Sequence, residues 1–105
     1  MTKELVEEIL DEAGLPYRYH HFEVEESVEP PFICWIVPGS ENFAADGKVY
    51  FQTDNVNIEL YTDSKDFELE EAIENVLEQK EIYWEKTEIY IEGEKMYEVL
   101  YELSI

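Results

Sequence analysis

Few residues in this 105-residue chain have the type and spacing for chemistry. Two histidines stand side by side, His20-His21, and one cysteine, Cys34, sits between Ile33 and Trp35. In an extended strand, adjacent side chains point to opposite faces, so the spacing predicts that the two imidazoles do not share a metal ion. The apolar neighbours of Cys34 predict a buried thiol with a raised pKa, the opposite of what a nucleophile needs. Carboxylates are abundant, with 27 Asp and Glu. Yet no D-x-[DN]-x-[DN]-G calcium ladder occurs, and neither Asp54-Asn55 nor Asp63 starts one. Asp46-Gly47, within "NFAADGKVYF", has no supporting acids at ligand spacing. With 4 glycines, the chain offers no phosphate-cradling loop and no GxSxG elbow. The expectation is a protein that is not an enzyme and uses no cofactor and no metal.

Composition narrows the classes further. A hydrophobic content of 45%, with 14% aromatic residues, is too high for a disordered chain and suits a single domain over 1–105. The lone cysteine excludes an internal disulfide. Acids interrupt the apolar residues of "MTKELVEEIL", so the N-terminus reads as neither signal peptide nor anchor. No apolar run approaches the length needed to span a bilayer. A soluble protein of a reducing compartment is expected. The formal net charge is −20. Such a surface repels phosphates and anionic lipid, which argues against direct nucleic-acid binding and against a membrane. It suits a basic partner, a surface that DNA passes without sticking, or simple solubility.

The elements that would position these residues follow from periodicity. Residues 2–13 read as a helix capped by Thr2, with Leu5, Val6, Ile9, Leu10 and Ala13 in one stripe, ended by Gly14 and Pro16. "YRYHHFEVE", 17–25, reads as a first strand. "FICWIV", 32–37, reads as a central strand buried on both faces and terminated by Pro38-Gly39, with a turn-rich segment after it. From Lys48, Val49 and Phe51 share a face. Beyond Thr53, Val56, Ile58 and Leu60 alternate with Asn57, Glu59 and Tyr61. These runs form one long bulged strand or two short ones. A second helix follows, capped by Asp63, Ser64 or Asp66, with Leu69, Ile73, Val76 and Leu77 buried and Phe67 and Ala72 nearby. A C-terminal hairpin turns at Gly93-Glu94 with glycine first. The fold class is α+β: a mostly antiparallel sheet of four to six strands with two helices on one face, in the order helix, strands, helix, hairpin.

Tyrosines are numerous for so small a domain, and tyrosine favours both strands and interfaces. The stretches Pro30-Pro31-Phe32, Asn42-Phe43 with Ala45-Asp46, Ile58-Glu59-Leu60-Tyr61-Thr62 and residues 97–101 resemble a family of small tail-completion, or tail-terminator, proteins of long-tailed phages and prophages of Gram-positive bacteria. The resemblance covers nearly the whole chain. It implies a structural protein of the head-to-tail junction that assembles in the host cytoplasm and resides in the virion. Its partners would be itself, in a ring that is often a hexamer, and the tail tube and head-connector proteins. No catalytic residue carries over. Strand edges and the 39–47 loop are the expected contacts, with Asn42, Phe43, Asp46, Gly47, Tyr90 and Tyr97 as candidate interface residues. Phe43 is either a core anchor beneath its loop or an exposed contact. The alternative class is an acidic mimic of DNA that occupies the basic groove of a nucleic-acid-binding protein.

Overall fold

A computed structural model of the chain describes residues 2–45 and 47–105, and the side chains at 43–45 and 48–51 lie outside the description. The elements are α1 (Thr2–Ala13), β1 (Tyr17–Tyr19), a 3₁₀ turn (Val24–Glu26), β2 (Phe32–Ala45), β3 (Lys48–Thr62), α2 (Phe67–Gln79), β4 (Trp84–Ile91) and β5 (Met96–Ser104). They build one five-stranded sheet in the order β1-β2-β3-β5-β4. The pairs β2–β3, β3–β5 and β5–β4 are antiparallel, whereas β1 lies parallel to β2.

Both helices cover the same sheet face, as the two apolar stripes predict. Val6, Ile9 and Leu10 from α1 and Ile73 and Leu77 from α2 meet Ile33, Trp35, Val56, Ile58, Leu60, Val99, Tyr101 and Leu103 from the sheet. Each fully buried aliphatic side chain here contributes about 1.5–3 kcal/mol relative to exposure. Asp66 caps α2, its carboxylate accepting from the Leu69 N–H at 3.0 Å. Buried Tyr101 anchors that helix to the sheet by donating to Glu74 Oε2 at 2.8 Å. Around it, Lys65 bridges Glu70 and Glu88, and Lys86 bridges Glu70 and Glu74. Two of these four ion pairs, those from Lys65 and Lys86 to Glu70, explain how this α2 carboxylate is accommodated at only 3% exposure.

Several local expectations are corrected. Thr2 opens α1, but its hydroxyl donates to Asp54 Oδ2 at 2.6 Å. The first strand stops at Tyr19, because His20 takes φ 70 and turns the chain away. Phe67 is 72% exposed instead of joining the core. The hairpin turn spans four residues, and its left-handed position is Lys95, φ 52, rather than Gly93. The largest correction is at Pro38-Gly39, where β2 does not end. Register jumps there from Ile36↔Asn57 to Gly39↔Asn55, so Val37 and Pro38 together oppose Val56. A bulge is one of the few sheet positions that tolerates proline, which has no N–H to give to the ladder. The Val37 N–H is taken up by Tyr19 Oη at 3.2 Å. β3, in turn, is one continuous strand from Lys48 to Thr62.

Candidate interaction surfaces

β2 and β3 outrun the rest of the sheet. β5 leaves β3 at Asn55↔Ser104, with a last reciprocal pair of backbone bonds between Asp54 and Ile105 at 2.7 and 2.9 Å. β1 accompanies β2 only along Ile33–Trp35. Beyond these limits β2 and β3 pair solely with each other, from Glu41↔Thr53 to Ala45↔Lys48. A two-stranded ribbon roughly 20 Å long therefore projects from the domain. It accounts for the molecule's 50 × 29 × 23 Å dimensions and for a radius of gyration of 15.1 Å, against about 13 Å for a compact domain of this size.

The ribbon pairs up to Ala45↔Lys48, and at its tip Gly47 supplies a left-handed φ of 75. A side chain on Cβ would be strained in that backbone conformation, so the residue type and the turn agree. Among the expected contact residues, Asn42 and Gly47 lie on this ribbon and are exposed. Asp46 and the Phe43 side chain, for which a core anchor and an exposed contact were both expected, fall outside the described residues. What read as a turn-rich loop over 39–47 is strand up to Ala45.

Tyr90 and Tyr97 lie at the other end of the molecule. They are directly opposed on β4 and β5, with ring centroids 4.9 Å apart. Tyr97 is level with Thr62, the last residue of β3, whereas the ribbon occupies that strand's beginning. The candidate interface residues that are described thus fall in two separate places, Asn42 and Gly47 on the ribbon and Tyr90 and Tyr97 at the other end. Tyr90 is 48% exposed and adjoins Ile89, 56% exposed. β4 itself is an edge strand, and among the described residues no backbone hydrogen bond uses its outer side.

The sheet face away from the helices carries a small polar network that periodicity only half revealed. Alternation placed Glu59 and Tyr61 on one face, but Glu98 joins them through the β3–β5 register, which no local pattern encodes. Tyr61 Oη lies 2.9 Å from Glu98 Oε1 and 3.0 Å from Glu59 Oε1. Its ring stacks on Phe32 at 5.1 Å, and Phe32 in turn meets Phe22 from the β1–β2 connection. Burial, reinforced by the Glu98 charge, pushes the Glu59 carboxyl above the ordinary carboxylate range, against the hydrogen bond from Tyr61. Burial and then the two carboxylates raise the Tyr61 phenol. Cys34 sits beside Glu59 in the β2–β3 register, and burial followed by those same acids pushes its thiol up to about 11. It is a 5% exposed core cysteine, as its neighbours predict.

The two histidines correct the reasoning applied to them. Outside a strand, with His20 left-handed, their rings come together, Nδ1 to Nδ1 at 3.0 Å, instead of pointing apart. One ring nitrogen donates and the other accepts in this contact. His21 Nε2 also reaches Glu23 Oε1 at 3.2 Å. Among the described residues no group of three or more His, Cys, Asp or Glu is arranged to hold a metal ion. No described helix is long and apolar enough to cross a membrane. No protein-family model matches the chain, and no curated protein matches it either.

Proposed function

We propose that this protein is a structural component of the phage head–tail junction, acting by self-association into a ring, often a hexamer in the family it resembles, and by contact with tail tube and head-connector proteins. The observation that supports this reading best is the projecting ribbon. An isolated two-stranded hairpin is marginal in water, so a small domain that extends one has a use for it against another surface. The ribbon and the free β4 edge are different surfaces, as head-to-tail contacts in a ring require. Neighbours joined at their sheet edges would keep all helices on one side of the ring and all open sheet faces on the other. The open face carries Glu59, Glu85, Glu98 and Glu102, an acidic lining past which DNA slides without adhering.

The test is binding of the purified chain to a cognate tail tube protein, followed by electron microscopy of the captured complex. A closed ring on the tube end is the expected result, and no capture at any salt concentration would sink the reading. The DNA-mimic alternative predicts the opposite salt response. Self-association of a −20 chain strengthens as salt screens its repulsion, whereas capture of a basic partner weakens.

A further inference from the structure

Resting on the ring reading, we propose that the ribbon of one copy docks along the outer edge of β4 in a second copy, strand against strand. Both sides of that contact have backbone groups to offer. The ribbon's two outer edges leave the sheet after Asn55 on β3 and after Trp35 on β2. β4 presents an edge eight residues long, comparable with the ribbon, whereas the opposite edge strand, β1, has three residues. Adding a strand to an exposed edge satisfies those groups without side-chain remodelling.

Charge selects the ribbon as the element that makes the approach. Residues 37–53 hold only Glu41, Asp46 and Lys48 as charged side chains, one net negative charge out of −20. The other 25 of the 27 acids lie outside this stretch, so a contact made by the ribbon brings few of them against a second copy. The charges that β4 carries on its helix side are neutralised within the copy, Lys86 by Glu70 and Glu74 and Glu88 by Lys65, so neither meets a docking strand as an unpaired charge. Each copy gives its ribbon to one neighbour and its β4 to the other.

The experiment places a photo-crosslinking amino acid at Asn42 or Gln52, which face each other across the ribbon and are both exposed. The full chain is irradiated alone, up to the millimolar range, and on tail tubes, and the linked residues are mapped by mass spectrometry. Crosslinks from the ribbon into residues 84–91 of another copy are expected. A companion variant replaces residues 41–53 with a two-residue turn. It should keep the domain's thermal transition and lose the inter-copy species. Rings that form while crosslinks land on β1, the helices or the open face would overturn this docking and leave the ring reading standing. Absence of any inter-copy crosslink, alone and on tubes, would overturn it as well, with the ring reading then decided by tube capture. Intact oligomers of the shortened variant would likewise refute it.

Discussion

Replacing Tyr61 by phenylalanine tests the open-face network with a single atom. The ring and its stacking on Phe32 are kept, and only the hydroxyl between Glu59 and Glu98 is lost. One hydroxyl has one proton, so the change removes one donated hydrogen bond to a carboxylate at a time. Such bonds are worth about 1.5–3 kcal/mol when the acceptor is charged. Both carboxylates are half-buried, so water recovers part of this, and a loss of about 1–2 kcal/mol is expected. A 105-residue domain unfolds with an entropy near 0.2 kcal/mol/K, which converts the loss into a fall in Tm of about 5–9 °C at pH 7. Calorimetry and urea titration measure it. The pH dependence gives a second reading. The Tyr61 bond favours ionised Glu59, so the cost of Tyr61→Phe should shrink as pH falls through the raised Glu59 pKa. A Tm change under about 2 °C at pH 7, or a cost that grows on acidification, would refute the network's role.

The other expectations are more direct. Glu59→Gln should raise stability at neutral pH: the folded pKa lies above the unfolded one, so wild-type stability falls as pH climbs from about 4.5 through the folded value, and the variant should lose that slope in urea titrations across pH. Glu74 has the opposite sign: burial raises its pKa, but the bonds from Lys86 and Tyr101 win and lower it, so Glu74→Gln should cost stability at neutral pH and little below the folded pKa. Asp66→Ala removes the α2 cap and should cost about 0.5–2 kcal/mol by urea denaturation. The Cys34 thiol, buried and raised to about 11, should react with a thiol reagent at pH 8 only at the rate of opening, so its labelling should accelerate together with unfolding in urea.

What was legible in the sequence was whatever depends on short periods. The helix bounds 2–13, the α2 stripe and the alternation of Val56, Ile58 and Leu60 are written in neighbouring residues, and the structure repeats them. Pro38-Gly39 misled because proline's effect depends on its site. It ends a strand whose N–H is needed and is accommodated where a bulge leaves that N–H without a ladder partner. His20 misled in the other direction, since β-forming neighbours did not keep its backbone out of the left-handed region. The candidate contacts were named singly and carried no geometry. Asn42 and Gly47 fall on the ribbon and Tyr90 and Tyr97 at the far end, a separation set by where β1 and β5 stop pairing. Glu98 was invisible for the same reason, because its approach to Tyr61 comes through register over 37 positions.

A protein that assembles by its sheet edges must keep those edges from pairing indiscriminately. Two β4 edges brought together would bring Glu85 of each copy near the other's, with Lys86 already committed to α2 and Lys65 to Glu70 and Glu88, so no free lysine on these strands offsets the repulsion. Two ribbons meeting would escape that repulsion, but they have little to anchor them, since neither is backed by helices or by further strands. A ribbon meeting β4 combines the nearly neutral partner with the rigid one. That pairing brings few charges together and adds strand to a sheet already held by a helical layer. Under the proposed docking, the high acidity and the projecting ribbon would be complementary parts of one arrangement. The acids discourage symmetric contacts between like surfaces, and the ribbon, spared from them, leaves the head-to-tail contact as the least opposed way for two copies to meet.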